Sequence, residues 1–428
     1  MALSATDGLV CGTGTINHGQ FFRLHLAACH RTHVPAQTMS RLARRVMYER
    51  HLYIIGKSGS GKSTFLQNII LQNPGGFCLI DPHGDLAEAV ADRTDCIYFD
   101  PSELPLGFNV FENVAEASRP QVAAQIVASF KAIWGDSWGP RMEWILVNAL
   151  RLLLDNNQTF LGLPKLLTDD HYRARLLRRC TDPIVRTFWE QEFDAYDDRF
   201  RKEAIAPIQN KVGQLLANPL LRNILGQHHS TLRPQRIMDR GQRIVVNLAK
   251  GKLGDAPSHL LGALLVSAFA QAAEKRASIA EQDRVPFTLY VDEFQNFATE
   301  SFANVLSEAR KFKLSLVIAH QFLGQLPDYL RQAVFGNVGT MMAFRVGAED
   351  APLIALELGL KNAEILSDLD NFRAWLRVGG PFGPQIMETE PGGPGLGRLS
   401  AVRSRTRARY CRPSHLIERE IESFINTS

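Results

Sequence analysis

A glycine-rich segment near residue 60 has the residue types and spacing that bind phosphate. It fits the pattern GxxxxGK[ST] and consists of Gly56, Lys57, Ser58, Gly59, Ser60, Gly61, Lys62 and Ser63. An apolar strand predicted at 51–55 precedes it and a helix predicted at 63–72 follows, which is the context of a phosphate loop, or Walker A motif. The backbone N–H groups and the helix dipole would face the phosphates. Lys62 is predicted to reach the β- and γ-phosphates of ATP, Ser63 to ligate Mg²⁺ and Thr64 to contact the α-phosphate.

Two acidic residues, Asp292 and Glu293, directly follow an apolar strand predicted at 287–291. An open parallel sheet binds its ligands at the carboxyl ends of its strands, so this pair is expected beside the phosphate loop. Asp292 is predicted to hold magnesium, directly or through water. Glu293 is predicted to be the general base that polarises the attacking water, as in a Walker B motif. Adjacent acids after a strand also occur without function, but the phosphate loop upstream favours the catalytic interpretation.

Two further residues are predicted to act on the γ-phosphate. Gln321 directly follows a strand predicted at 314–320 and could sense the phosphate, although a strand-end cap is the alternative. Arg310 lies in a helix predicted at 300–312 and could cross a subunit boundary as an arginine finger, with a solvated helix face as the alternative. Both residues join Lys62 and Glu293 as predicted catalytic residues.

Polar residues at two other strand ends leave two interpretations open. Asp81 and Asp85 belong to the segment DPHGD, which follows a strand predicted at 77–81. Their carboxylates could tune magnesium or a subunit contact, or the segment could be a plain Pro-Gly turn. Lys250 and Lys252 follow a strand predicted at 243–249, and they could line a channel or belong to a solvated loop.

The alternation of strands and helices predicts an α/β fold with a mainly parallel sheet. Further strands are predicted at 96–100, 340–346 and 372–378, and the last of these is taken as the final strand. Residues 115–235 contain no recognisable strand. One face of an amphipathic helix recurs within this block, at Met142, Ile145, Leu146, Ala149, Leu150 and Leu153. The predicted domains are therefore an N-terminal segment at 1–47, a nucleotide-binding domain at 48–114 and 236–390, an inserted all-helical domain at 115–235 and an arginine-rich tail at 391–428.

The first part of the tail is rich in arginine. It has no acidic residue between 391 and 417, and it contains Arg398, Arg403, Arg405, Arg407, Arg409 and Arg412. These side chains could contact DNA phosphates without regard to sequence, or the segment could be a strand that lies on acidic neighbours. The whole chain has 48 basic and 44 acidic residues, so the net charge of +4 is only a weak preference for acidic partners.

Cysteine usage and hydropathy narrow the class of protein further. The six cysteines include no CxxC pair, which argues against a disulfide framework and a zinc ribbon. Cys29, His30 and His33 cluster, but no second ligand pair follows at zinc spacing. No stretch reaches the ~18 apolar residues that a spanning helix needs, and the run at 260–273 is predicted to be a buried helix. A reduced cytoplasmic protein, or one peripheral at the inner membrane, is therefore expected.

Four long motifs occur in a fixed order along the chain. They are IDPHGD at 80–85, YVDEFQNF at 290–297, LSEARKFKLSLVIAHQF at 306–322 and NVGTMMAFRVGAEDA at 337–351. Over residues 48–415 the chain resembles the motor domains of type IV secretion coupling proteins, the conjugative DNA-transfer ATPases of the HerA/FtsK superfamily. The resemblance implies a RecA-like core interrupted by an all-helical domain. It also implies a hexameric ring with ATP between subunits and DNA in the central channel.

Carried over by position, the resemblance implies roles for individual residues. Lys62 matches the phosphate-loop lysine, and Asp292 matches the magnesium ligand. Glu293 and Gln321 match the base and the sensor. Arg310 matches the arginine that acts in trans, and Arg345 is a second candidate for that role.

The predicted function is ATP-driven translocation of DNA by a hexamer, with a relaxase or secretion-channel proteins as further partners. Membrane-bound coupling proteins begin with transmembrane helices, which no stretch of this sequence predicts. The alternatives are the same ATPase ring acting on protein substrates and a non-motor, ATP-dependent switch. A switch can lack a water-activating base, and Glu293 therefore argues for the motor.

Overall fold

The computed structural model of the chain describes residues 22–24, 50–299, 302–379 and 383–426. The N-terminal segment predicted at 1–47 lies outside the described residues, apart from a short strand at 22–24. The cluster of Cys29, His30 and His33 lies outside them as well.

In the described part of the chain, ten strands form one sheet. In chain order they are β1 (Phe22–Leu24), β2 (Leu52–Ile55), β3 (Gly76–Asp81), β4 (Ile97–Phe99), β5 (Arg243–Asn247), β6 (Phe287–Val291), β7 (Leu314–His320), β8 (Thr340–Ala343), β9 (Arg373–Val378) and β10 (Gln385–Thr389). Their order across the sheet is β1-β10-β9-β8-β2-β7-β6-β3-β5-β4.

The seven strands from β8 to β4 are parallel, and β9, β10 and β1 continue the sheet as antiparallel strands. Every residue of β2, β3, β6 and β7 is buried, which explains why these strands are continuous apolar runs rather than alternating ones. Ile55 at the end of β2 lies opposite His320 at the end of β7. Val291 at the end of β6 lies opposite Ile318. The loops that follow these strands therefore meet at the carboxyl edge of the sheet.

Helices cover the sheet and fill the long interval between β4 and β5. In the described residues they are α1 (Lys62–Leu71), α2 (Asp85–Ala91), α3 (Arg119–Trp134), α4 (Pro140–Asp155), α5 (Gly162–Thr168), α6 (Asp170–Leu177), α7 (Pro183–Thr187), α8 (Asp198–Ala217), α9 (Pro219–Leu225), α10 (Pro234–Asp239), α11 (Lys250–Leu253), α12 (Asp255–Glu274), α13 (Phe302–Glu308), α14 (Asp328–Asn337), α15 (Ala351–Leu358), α16 (Glu364–Ser367), α17 (Leu399–Tyr410) and α18 (Ser414–Asn426). A π-helical segment, Phe188–Phe193, continues α7.

The predicted fold class is confirmed: the chain is an α/β protein with a mainly parallel sheet around a phosphate loop. The helical character predicted for 115–235 is also observed, since α3 to α10 occupy this interval without a strand. The amphipathic pattern that includes Met142 and Leu153 forms α4, and its apolar positions are buried. Whether this block is a separate domain stays a prediction, because its apolar residues belong to the same continuous core as the sheet.

Some of the strand predictions are wrong. The strand predicted at 340–346 ends at Ala343, and the one predicted at 243–249 ends at Asn247. The strand predicted to be the final one, β9, is followed by β10, which pairs with it in antiparallel register. In β10 only Met387 and Thr389 are buried, so its local sequence is a weak strand signal. Pairing with β9 supplies the hydrogen bonds that define it.

The apolar run at 260–273 forms the middle of α12. Together with the 3₁₀ turn that follows, the helix spans Asp255–Ser278. Among the described residues it is the one helix long and apolar enough, by length and composition, to cross a membrane. In the fold, 72% of its most apolar window is buried, and the helix packs against α3 and α10. This burial agrees with the prediction of a core helix.

The arginine-rich tail forms two helices, α17 and α18, and the alternative of a strand is therefore wrong. Asp92 accepts hydrogen bonds from the backbone N–H groups that begin α17, including those of Arg398 and Leu399. Arg403 contacts Glu88 and Glu103, at 3.0 and 3.5 Å. The expected acidic neighbours are therefore present, but they contact one face of a helix.

Candidate nucleotide-binding site

The phosphate loop lies at the carboxyl edge of the sheet, between β2 and α1. The N–H of Gly56 donates to the carbonyl oxygen of His320 at 3.4 Å, and the N–H of Lys57 donates to that of Arg345 at 2.8 Å. The ends of β7 and β8 therefore hold the two flanks of the loop. A Cβ atom at Gly56 would lie 2.6 Å from Cβ of Phe344, so no side chain fits there. The tip of the loop, residues 57–59, is exposed to solvent.

Lys62 is the buried cation of the loop. Its Nζ atom donates to the carbonyl oxygens of Gly56 at 2.6 Å and of Lys57 at 3.3 Å. Burial lowers the pKa of Lys62, while the carboxylates of Glu293 and Asp292 act to raise it. Because its bonds are to the rim of the loop, the ammonium group can reach phosphate oxygens through a rotation of the side chain. Ser63, the next residue, is exposed at the first turn of α1.

The predicted acidic pair lies at the end of β6 and is buried. Burial is the largest cause that raises the pKa of Asp292, and the neighbouring carboxylates of Asp81 and Glu293 act in the same direction, so that the pKa is about 7 despite the opposite effect of Lys62. Asp81, at the end of β3, accepts the backbone N–H groups of His83, Gly84 and Ala87 at 2.8–2.9 Å. The Pro-Gly turn is thus the role that the structure shows for Asp81, and its charge also acts on Asp292.

Glu293 is held in one orientation by two amides. Oε1 accepts a hydrogen bond from Nε2 of Gln321 at 2.9 Å, and Oε2 accepts one from Nε2 of Gln295 at 2.8 Å. The backbone of Glu293 has φ +46°, in the left-handed region that non-glycine residues rarely adopt. Strain of this kind persists where the surroundings hold it, and it is common at active sites. The structure therefore brings the predicted base and the predicted sensor into direct contact.

Sequence reasoning assigned no role to Gln295. The residue lies within the motif YVDEFQNF, two positions after the base, so an amide close to a catalytic acid was the available signal. Its Oε1 atom is buried and has no hydrogen-bond partner among the described residues. An acceptor in this position can take a hydrogen bond from a water molecule next to Glu293.

The two predicted arginines lie at opposite edges of the sheet. Arg310 is exposed in a 3₁₀ turn, Ala309–Phe312, just before β7 begins. It is therefore at the amino edge, away from the phosphate loop of its own chain. Arg345 follows β8 at the carboxyl edge, where its carbonyl oxygen binds Lys57. Of the two, only Arg310 lies at the edge of the sheet opposite its own phosphate loop.

Lys250 and Lys252 belong to the short helix α11 and contact neighbouring side chains. Nζ of Lys250 donates to Oδ1 of Asn296 at 2.9 Å, three residues after Glu293. Lys252 lies 3.6 Å from the buried carboxylate of Asp100. Both lysines therefore have partners within the fold, and a channel role stays a prediction.

The donor atoms at the site fit a magnesium ion. Ser63 and Asp292 offer the hard oxygen ligands that Mg²⁺ prefers, and the crowded carboxylates near Asp292 favour a cation. Among the described residues, no group of three His, Cys, Asp or Glu side chains is arranged to hold a metal ion. Phosphate oxygens and water would complete such a site, which is usual for magnesium bound with a nucleotide.

The order of the strands defines the class of fold. β7, which carries Gln321, lies between β2 with the phosphate loop and β6 with the acidic pair. This is a RecA-like P-loop core. No family model matches the chain, and no curated protein matches it in sequence.

Solved structures with this fold include those of TrwB and VirB4. The bacterial conjugative coupling protein TrwB, unbound, is 16% identical with a TM-score of 0.63, covering 83% of this chain and 88% of TrwB. TrwB with ADP and Mg²⁺ is 15% identical with a TM-score of 0.59, covering 82% and 87%. VirB4 of Thermoanaerobacter pseudethanolicus is 14% identical with a TM-score of 0.53, covering 82% and 91%. The resemblance predicted from the sequence motifs is thus confirmed as a likeness of fold.

Proposed function

We propose that this chain is an ATP-hydrolysing motor that moves DNA as a hexameric ring. The observation that carries the proposal is the Glu293 carboxylate, buried at the carboxyl edge beside the phosphate loop and oriented by Gln321 and Gln295. A protein that only binds nucleotide does not need a base held in this way, whereas a hydrolase does. The fold adds support, since TrwB is described as a conjugative coupling protein and has been solved with ADP and Mg²⁺.

The residues of the site have complementary tasks in this proposal. The phosphate loop binds the triphosphate, and Lys62 turns from the loop carbonyls to the β- and γ-phosphates. Glu293 accepts the proton of the attacking water while Gln321, bonded to the same carboxylate, registers whether a γ-phosphate is present. Ser63 and Asp292 would hold magnesium, which neutralises phosphate charge when it is bound.

Different observations support the hexameric ring and the DNA cargo. Arg310 lies at the amino edge, so it can complete a phosphate site only on a neighbouring subunit, and a closed ring gives every site such a neighbour. DNA is the cargo that the conjugative likeness favours. A cytoplasmic location, peripheral at the inner membrane, and contact with a relaxase or secretion-channel proteins belong to the same proposal.

The test is the steady-state ATPase rate with and without double- and single-stranded DNA at low salt. Lys62→Ala is the blank, because it removes the phosphate-loop cation. DNA should raise the rate of the wild-type chain and leave the blank unchanged. Glu293→Gln should lower the rate about 10²–10⁴-fold and still bind ATP, because the amide cannot accept the proton.

Each alternative has its own outcome. A rate that DNA leaves unchanged but a protein substrate raises would indicate a motor for proteins. A Glu293→Gln variant with full activity would contradict the assigned base and favour a nucleotide switch. The DNA motor, the protein motor and the switch would all bind nucleotide, so nucleotide binding alone does not distinguish them.

A further inference from the structure

Phe372 is a large aromatic residue in an unusual position beside the phosphate loop. Its backbone has φ +66°, which is costly for a bulky side chain, and its side chain is 40% exposed. It directly precedes β9, which runs antiparallel to β8 and so begins at the carboxyl edge of the sheet. A strained and partly exposed phenylalanine at this edge contributes little to the core, so its position calls for another explanation.

Two backbone hydrogen bonds hold Phe372 in place. Its N–H donates to the carbonyl oxygen of Ser60 at 2.8 Å, and its own carbonyl oxygen accepts the N–H of Thr389 at 2.7 Å. The first bond fastens the residue to the phosphate loop, and the second fastens it to the end of β10. The backbone of Phe372 is therefore held directly by the phosphate loop and by β10.

The ring lies against Gly61, the residue before Lys62. A Cβ atom at Gly61 would lie 3.0 Å from Cδ1 and 3.1 Å from Cα of Phe372, so the phenylalanine occupies the space that a side chain would need. Gly61 also has φ +110°, which independently requires glycine. No other aromatic ring among the described residues stacks on Phe372, and its exposed part is open to a ligand.

The order of the strands indicates which end of a nucleotide this ring would meet. The γ-phosphate must lie towards β7 and β6, where Gln321 and Glu293 are found. The nucleoside end of the ligand is then directed to the other side of β2, towards β8 and β9. Among the described residues, Phe372 is an exposed aromatic side chain on that side of the phosphate loop.

We infer that the ring of Phe372 is a stacking platform for the nucleobase of the bound nucleotide. This inference rests on the proposed function, because it takes the loop to bind a nucleoside triphosphate. Stacking of a base on an aromatic side chain is tolerant of base identity and is lost on truncation of the ring. Removal of the ring should therefore weaken binding of ATP and leave binding of the phosphates alone unchanged.

The experiment compares two ligands and three proteins by calorimetry in the presence of Mg²⁺. The ligands are ATP and inorganic tripolyphosphate, which lacks the nucleoside. The proteins are the wild-type chain, Phe372→Gly and Phe372→Trp. Glycine accepts φ +66° without strain, so it removes the ring and preserves the backbone, whereas tryptophan keeps an aromatic surface.

Phe372→Gly should raise the Kd for ATP about 5- to 100-fold, the range expected for one stacked base, with the tripolyphosphate Kd within twofold of wild type. Phe372→Trp should bind ATP within a few-fold of wild type. Equal losses for both ligands would show that Phe372 only shapes the loop, and an unchanged ATP affinity in Phe372→Gly would show that the base lies elsewhere. Either result overturns the inference. If the wild-type chain binds neither ligand, the proposed function fails instead.

Discussion

Glu293 shows how much of the chemistry depends on single hydrogen bonds. Its two carboxylate oxygens are occupied by the amides of Gln321 and Gln295, and its backbone lies in a conformation that an isolated glutamate would avoid. A general base must be directed at the proton that it accepts, so orientation matters as much as acidity. Of the two amides, only that of Gln295 has a buried oxygen without a partner.

The role of Gln295 can be tested by Gln295→Ala. We expect kcat of ATP hydrolysis to fall roughly 10- to 100-fold, because one oxygen of the base loses its restraint. KM and the affinity for ATP should stay near wild type, since Gln295 does not contact the phosphate loop in the structure. Steady-state kinetics with a parallel binding measurement separates the two effects. A raised KM with an unchanged kcat would contradict a positioning role.

At the scale of elements, a helix covers one edge of the sheet. β4 is the strand at this edge, and α17 packs against its open side. The N–H of Tyr98 in β4 donates to Oγ1 of Thr406 in α17 at 3.0 Å, and both groups are buried. This bond occupies a backbone N–H on the open side of β4 that could otherwise pair with another chain. The arginine-rich tail therefore has a structural task besides any contact with DNA.

Thr406→Val tests this contact, since valine keeps the shape and removes the hydroxyl acceptor. The buried N–H of Tyr98 would then be unsatisfied, and the free energy of unfolding should fall by about 1–2 kcal/mol. Thr406→Ser keeps the hydroxyl and is the matched control. Urea unfolding of the three proteins measures the difference. Equal midpoints for valine and wild type would show that the helix does not protect the strand edge.

The amino end of β2 contains a buried histidine that makes stability depend on pH. Nδ1 of His51 accepts the N–H of Leu316 at 3.0 Å, and Nε2 lies 2.9 Å from the carbonyl oxygen of Leu306. Both contacts suit the neutral ring with its proton on Nε2. Burial, with a smaller contribution from nearby Arg310, lowers the pKa of His51 from 6.5 to about 4, against the effect of the Leu306 bond.

A lowered pKa means that the unfolded chain binds a proton before the folded chain does. The stability associated with neutral His51 is thus complete above about pH 6.5 and is lost as the pH falls towards 4. Between pH 7 and pH 5 the loss for this one group is about 2 kcal/mol. His51→Gln should lose less stability over this interval, and urea unfolding at both pH values gives the comparison. Parallel losses in both proteins would show that His51 titrates normally.

At the scale of the whole molecule, the site of one chain is incomplete if Arg310 acts on its neighbour. The sheet separates Arg310 at the amino edge from Lys62 and Glu293 at the carboxyl edge, so no rearrangement of side chains alone brings them together. A ring places the amino edge of one subunit in reach of the next site, and the rate then depends on both subunits.

Mixing two inactive variants tests this arrangement. Lys62→Ala and Arg310→Ala should each be inactive alone, because each lacks one half of every site. Co-assembled in equal amounts, they should recover up to about a quarter of the wild-type ATPase rate, since that fraction of interfaces pairs two intact halves. A mixture that stays inactive, although sizing shows mixed rings, would contradict a role in trans, and so would full activity of Arg310→Ala alone.

The sequence by itself determined the fold class and the positions of the phosphate loop and the acidic pair. These features depend on local requirements: glycine where backbone turns inward, and apolar runs where a parallel strand is buried on both faces. β6 and β7 lie at the predicted residues for this reason, and Gln321 follows β7 as expected.

Only the tertiary structure decided how distant segments meet. Phe372 touches Gly61, Thr406 binds Tyr98 and β10 pairs with β9 because the tertiary fold brings together segments that are far apart in the chain, and no local pattern predicts these contacts. The second amide on Glu293 depends on a strained backbone that the surrounding fold holds. Local steric requirements can therefore be predicted from the sequence, whereas hydrogen bonds between distant segments form only once the tertiary structure is in place.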